Sequence, residues 1–139
     1  MVVVSVNQRY PAHSRTIAHA LLGSKMGAIL KTVILLDEDI DPFNLDDIWW
    51  AMVSRLQASR GINILQRGKG AFMDPSQAPE LQGFADTLMI EAVKPYEWQP
   101  RPEWGNERFP PTAYPFKDVM QAVERRWKEF GIFSRNEES

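Results

Sequence analysis

The sequence has no cysteine. Disulfide frameworks, thiolate zinc sites, iron–sulfur clusters and cysteine nucleophiles are therefore excluded. Histidine is scarce, with only two in the chain. His13 and His19 are six residues apart, so on a helix they point to different faces and cannot converge as an i, i+4 metal pair would. Neither charge sign dominates: 16 Lys and Arg stand against 18 Asp and Glu, a formal net charge of −2. Such a balance offers no electrostatic footprint for nucleic acid or an anionic membrane. No apolar run approaches the ~18 residues of a membrane span, and Met1–Val6 is too short for the apolar region of a signal peptide. The expectation is a soluble, cytoplasmic chain of 139 residues, long enough to bury a real core.

What is present centres on Lys31–Trp50, KTVILLDEDIDPFNLDDIWW. Thr32–Leu36 is apolar and β-branched, the mark of a strand buried on both faces. Asp37, Glu38, Asp39 and Asp41 cluster where it ends. Pro42 breaks the chain, and Asn44 or Asp46 can cap a helix carrying Ile48, Trp49, Met52, Val53 and Leu56. Before this unit, Val2–Val6 reads as another buried strand and His13–Ser24 as a helix ending near Gly23. Two strands joined by a helix favour parallel pairing. After it, Ile62–Leu65 and Asp86–Val93 are further strands, and Gln66–Gly83 is a loop by composition. The fold class is α/β, a mainly parallel sheet of about four strands flanked by helices.

The second half is rich in proline and tryptophan. Pro95, Pro100, Pro102, Pro110, Pro111 and Pro115 forbid regular structure, yet Tyr96, Trp98, Trp104, Phe109 and Tyr114 are too apolar for a free linker. Residues 95–115 therefore read as an extended arm laid on a surface, with Trp98, Trp104 and Phe109 as anchors. Residues 116–139 form a docking helix and tail, whose Phe116, Val119, Met120, Val123, Trp127 and Phe130 make a single stripe. Trp49 and Trp50 point about 100° apart on their helix, so one can enter the core while the other meets a second layer. The candidate interface is thus Trp49, Trp50, Trp98, Trp104, Phe109, Val119, Val123, Trp127 and Phe130, with residues 1–94 as the α/β domain.

The acidic turn is the one candidate for chemistry. Asp37, Asp39 and Asp41 alternate as an EF-hand loop opens, but Pro42 and Ile48 stand where glycine and the closing glutamate belong. A phosphatase of the haloacid-dehalogenase type needs a hydroxyl or small apolar residue where Asp41 stands. The plain reading is that these carboxylates cap the next helix and face water. The alternative is a stand-alone enzyme holding magnesium on this turn for phosphoryl transfer; a third reading is a homo-oligomeric binding module. Arg67-Gly68-Lys69-Gly70 lacks P-loop spacing and reads as a solvated loop.

Several stretches together resemble one family: VVVSVNQRYPAHSRTIAHALLGS, KTVILLDEDIDPFNLDDIWWAMVSRLQASRGINIL, then MDPS and DTLMIEAVKP. They are similar to the C-terminal domain of UbiD-type decarboxylases. The most specific piece is DEDIDP followed by the W-A-x-x-x-R helix, here Trp50, Ala51 and Arg55. The resemblance implies an α/β domain in an enzyme that reversibly decarboxylates aromatic or α,β-unsaturated acids with prenylated flavin mononucleotide, a divalent metal and potassium. It also implies that flavin, metals and the glutamate–arginine–glutamate catalytic set belong to a preceding domain. The family's C-terminal domain helps build the dimer interface and closes one side of the cleft. No catalytic, cofactor or metal residue maps onto this chain, so those groups are expected in a flavin-binding large subunit, with this chain a small subunit or C-terminal fragment. Glu91 or Glu97 could reach a partner's cleft, and nothing selects between them.

Overall fold

A computed structural model describes residues 1–113 and 117–126. Four strands form one sheet: β1 (Val2–Val6), β2 (Thr32–Asp37), β3 (Ile62–Lys69) and β4 (Phe84–Ala92), in the order β1-β2-β4-β3. β1, β2 and β4 run parallel, and β3 pairs antiparallel with β4 at one edge. The sheet is therefore mostly parallel but mixed, as the α/β reading expects. Its helices are α1 (His13–Leu22), α2 (Leu45–Ser54) and the single turn α3 (Ala58–Gly61).

The apolar run of β2 follows from its place between two helical layers. Val33 and Leu35 join Val6, Met89 and Val93 under Ala18, Ile17 and Leu21 of α1. On the other face, Ile34 and Leu36 join Ile90 and Ala92 under Ile48, Ala51 and Met52 of α2. Ile40, from the acidic turn itself, plugs this second cluster, which roots the turn in the core. Of the two possible caps, Asn44 is the one used: its side chain accepts the Asp46 N–H at 3.0 Å.

The structure departs from the sequence reading at β3. The start of the expected loop, Gln66–Lys69, continues the strand through an irregularity between Leu65 and Gly68. Arg67 there has φ 54°, and its N–H donates to Asp86 Oδ1 at 2.8 Å. A bulge thus absorbs residues of turn composition while pairing with β4 resumes beyond it. The rest of the loop is tied to the body. Asp74 accepts from the Ser76 N–H and from Lys31 Nζ at 3.0 and 3.1 Å. The Ser76 N–H foremost, then Lys31, hold the Asp74 carboxyl down at about 2.

Met1–Phe109 forms one compact unit and the chain from Pro110 a second. In the second, the described helix α4 (Lys117–Arg125) leaves Val119, Met120 and Val123 exposed. Trp127, Phe130, Phe116 and Tyr114, named from the sequence, lie outside the described residues.

Leu35 is fully buried whereas Ile64 on the edge strand is 61% exposed. Leu35→Ala should therefore cost about 2–5 kcal/mol in urea denaturation, and Ile64→Ser should stay within about 0.5 kcal/mol of the parent.

Candidate functional site

The C-terminal ends of the parallel strands meet at the acidic turn, where an α/β sheet ordinarily places its ligands. Here the polar groups are bound to one another. Arg55, at the C-terminal end of α2, has a side chain only 2% exposed. Its Nη1 donates to Asp37 Oδ2 at 2.9 Å and to Asp39 Oδ1 at 2.6 Å, while Nη2 donates to Asp39 Oδ2 at 2.9 Å. The two-pronged Asp39 contact is the fork geometry that arginine offers a carboxylate and lysine cannot. The guanidinium also lies 5.0 Å from the Trp50 ring centroid. Asp37 Oδ2 further accepts the Lys94 N–H at 2.7 Å, Gln8 Nε2 donates to Asp37 Oδ1 at 3.0 Å and to the Lys94 carbonyl at 2.8 Å, and Lys94 Nζ reaches Asp39 at 2.7 Å. One buried cation and two carboxylates thus fasten β1, β2, α2 and the chain leaving β4.

This corrects the expectation that the acidic turn caps α2 and faces water. Asp37 is buried and Asp39 is turned onto Arg55. Glu38 and Asp41 keep the expected exposed role, Glu38 accepting from Asn7 Nδ2 and Asp41 from the Phe43 N–H, and Asp39 stays 46% exposed while it pairs with Arg55. Burial pushes the Asp37 carboxyl up, against the pull of Lys94, Gln8 and Arg55. Hydrogen bonds from Arg55, then Lys94, hold Asp39 well below the usual carboxylate range. Burial alone would lower the Arg55 pKa, but Asp39 and Asp37 together raise it. Sequence reasoning named Arg55 only as part of a pattern. Its spacing from Asp37 and Asp39, 18 and 16 residues, gives no local signal of pairing.

A second polar cluster surrounds Glu91, which is 6% exposed. Ser14 Oγ donates to Oε2 at 2.8 Å, and Arg15 Nε and Asn63 Nδ2 donate to Oε1 at 2.8 and 3.3 Å. Arg15 also reaches the Arg60 carbonyl, and Arg60 the Arg55 carbonyl, so the two clusters form one network. A cleft of about 200 Å³ opens here between α1 and the end of β4, with Glu97 on its wall. Of the two glutamates, Glu91 is thereby engaged inside its own chain and Glu97 is exposed.

The acidic side chains of this site are already committed. Asp37, Asp39 and Glu91 are already paired with cations, and among the described residues no group of three or more His, Asp or Glu side chains gathers to hold a metal. The magnesium reading of the turn therefore has no support. Another cleft, of about 310 Å³, is bordered by Lys31, Arg67 and Phe84, and both stand at or below the small end of the ~300–1,000 Å³ of ligand sites. No described helix is long and apolar enough to cross a membrane.

Among the interface candidates, Trp49 and Trp50 are 59% and 40% exposed. Neither enters the core, because Ile48 and Ala51 occupy the inward positions of α2. Residues 95–109 are not extended throughout. They include a 3-10 turn at Pro102–Trp104 and a bridge between Arg101 and Glu107. Trp98 stacks on Phe109 at 5.9 Å and approaches Trp104 at 6.2 Å. Arg101 covers Trp104, and Arg108 covers Tyr96. The anchors hold one another.

Arg55→Met should cost about 3–5 kcal/mol, because it strands the buried Asp37 carboxylate. Asp39→Asn removes a carboxylate whose folded pKa is depressed, so its contribution is present above the unfolded value of ~3.9 and lost as pH falls further. Chemical denaturation should show Asp39→Asn less stable than the parent at pH 7, with the gap closing below about pH 4.

Comparison with known proteins agrees with this geometry. The family model described as the 3-octaprenyl-4-hydroxybenzoate carboxy-lyase C-terminal domain matches residues 1–92. A phenolic acid decarboxylase of Sedimentibacter hydroxybenzoicus is 32% identical over 102 residues, 73% of this chain and 21% of that protein. The vanillic acid decarboxylase of the same organism, in closed form, superposes with a TM-score of 0.69 at 29% identity, over 92% of this chain and 25% of that one. The UbiD-class enzyme HmfF of Pelotomaculum thermopropionicum, in complex with FMN, shares the fold, with a TM-score of 0.66 at 24% identity over 88% of this chain and 25% of that one. This chain spans about a quarter of the length of such relatives, and it belongs to the UbiD C-terminal domain family.

Proposed function

We propose that this chain is the assembly and cleft-closing component of a UbiD-like decarboxylase acting on aromatic or unsaturated acids. The reading rests above all on one contrast: the chain matches a decarboxylase over 92% of its own length and 25% of that enzyme's, while its buried Asp37 and Glu91 carboxylates are engaged internally. Prenylated FMN, a divalent metal and potassium would then be held by a larger, flavin-binding chain, which supplies the decarboxylation chemistry. The part left to this chain is rigid surface. Its node fixes the strand ends facing such a partner, and its exposed aromatic and aliphatic side chains can be buried on association. The vanillic acid decarboxylase is described in both open and closed forms, which fits a domain that closes on a cleft. Homo-oligomerisation through the arm of residues 95–115 and the C-terminal helix would accompany this role, in a cytoplasmic enzyme.

The test is co-expression of the full chain with a UbiD-like flavin-binding chain from the same source. A stable complex that decarboxylates a phenolic acid, with the isolated chain inactive, is expected. Turnover or tightly held flavin in the isolated chain, or no association at all, would overturn the proposal.

A further inference from the structure

We infer that the outer face of α2, rather than the proline-rich stretch, is the surface that docks on the larger chain, and that its partner offers an apolar groove rimmed by lysine and arginine. The inference rests on the proposed subunit role and assigns the contact within it. Leu45, Trp49 and Val53 recur every four residues, one stripe of the helix, and are 62%, 59% and 86% exposed. Phe43 extends the stripe. It stands just before the N-cap, where an apolar residue ordinarily staples back onto the fourth helical position. That position is Ile48, which faces the core, and Phe43 is 96% exposed. Phe43 thus does nothing for its own helix.

The other tryptophans among the described residues are engaged within the chain. Trp50 lies under Arg55, Trp98 stacks with Phe109, and Trp104 lies under Arg101. The four α2-side residues expose on the order of 600 Å² together, most of the ~800 Å² that one partner contributes to a standard interface.

Charge selects the occupant. Asp41 and Asp46 flank Phe43 and Leu45 in the chain and are exposed, Asp47 beside them is half-buried, and Glu38 in the preceding turn is exposed. Among the described residues no lysine or arginine forms a salt bridge with any of the four, and the only cation at this helix, Arg55, is buried. A second copy would bring the same acidic rim without a complement, whereas a basic-rimmed groove neutralises it and speeds association.

The decisive experiment measures affinity between the full chain and its co-expressed flavin-binding chain at low and high salt. Trp49→Asp combined with Val53→Asp should weaken binding by about 100-fold or more, while circular dichroism and thermal melting stay as in the parent. Asp46→Asn with Asp47→Asn should weaken it several-fold at low salt and flatten the salt dependence. Trp104→Ser should leave it within a few-fold. Undiminished binding by the stripe variant, with loss in Trp104→Ser, overturns the inference but leaves the subunit role standing. Absence of binding by the parent defeats the subunit role itself. An isolated chain that sediments as a dimer, and as a monomer once the stripe is changed, overturns the choice of partner.

Discussion

Arg55 between Asp37 and Asp39 is the contact on which the arrangement of the strand ends depends. The guanidinium comes from the end of α2 and the carboxylates from the end of β2 and the turn after it. Arg55 and Asp37 are each expensive to bury alone, and together they are tolerable because the half-exposed Asp39 forks the guanidinium and the added donors of Lys94 and Gln8 satisfy the oxygens. Apolar packing alone would leave the angle between turn, helix and the chain leaving β4 soft. The node makes it a discrete geometry. Ile40 and Ala51, both within the second core cluster, carry that geometry into the packing.

The sequence pieces that mark the family turn out to be partners in such ties. The turn DEDIDP and the W-A-x-x-x-R helix are the two sides of the Arg55 node. MDPS is an Asp74 turn latched by Lys31, the residue that opens the β2 stretch. The end of DTLMIEAVKP places Glu91 under Arg15 and Ser14, and the Lys94 N–H against Asp37. These residues hold elements together across the strand ends, a structural reason for their pattern that asks for no catalytic role.

Much of the fold was legible because its signals are local. β1 and β2 are apolar runs, the apolar Leu88–Ile90 lies within β4, and α2 announces itself with Asn44 after Pro42. The remainder depends on partners far along the chain. Gln66–Lys69 has turn composition and becomes strand only because β4 supplies the ladder. The acidic turn looks like a solvated cap until Arg55, more than four helical turns onward in sequence, folds back on it. Trp49 and Trp50 both remain outside because Ile48 and Ala51 take the inward positions. Trp98 and Phe109 find each other across a proline-rich segment that periodicity cannot describe.

The account stands or falls on whether Arg55 and Asp37 act as a unit. A double-mutant cycle with Arg55→Met and Asp37→Asn, read by chemical denaturation at pH 7, measures this directly. A coupling of about 2 kcal/mol or more, the double variant being far less damaged than the sum of the singles, is the predicted result. Additivity within about 0.5 kcal/mol would show that the two residues act independently and would contradict the account.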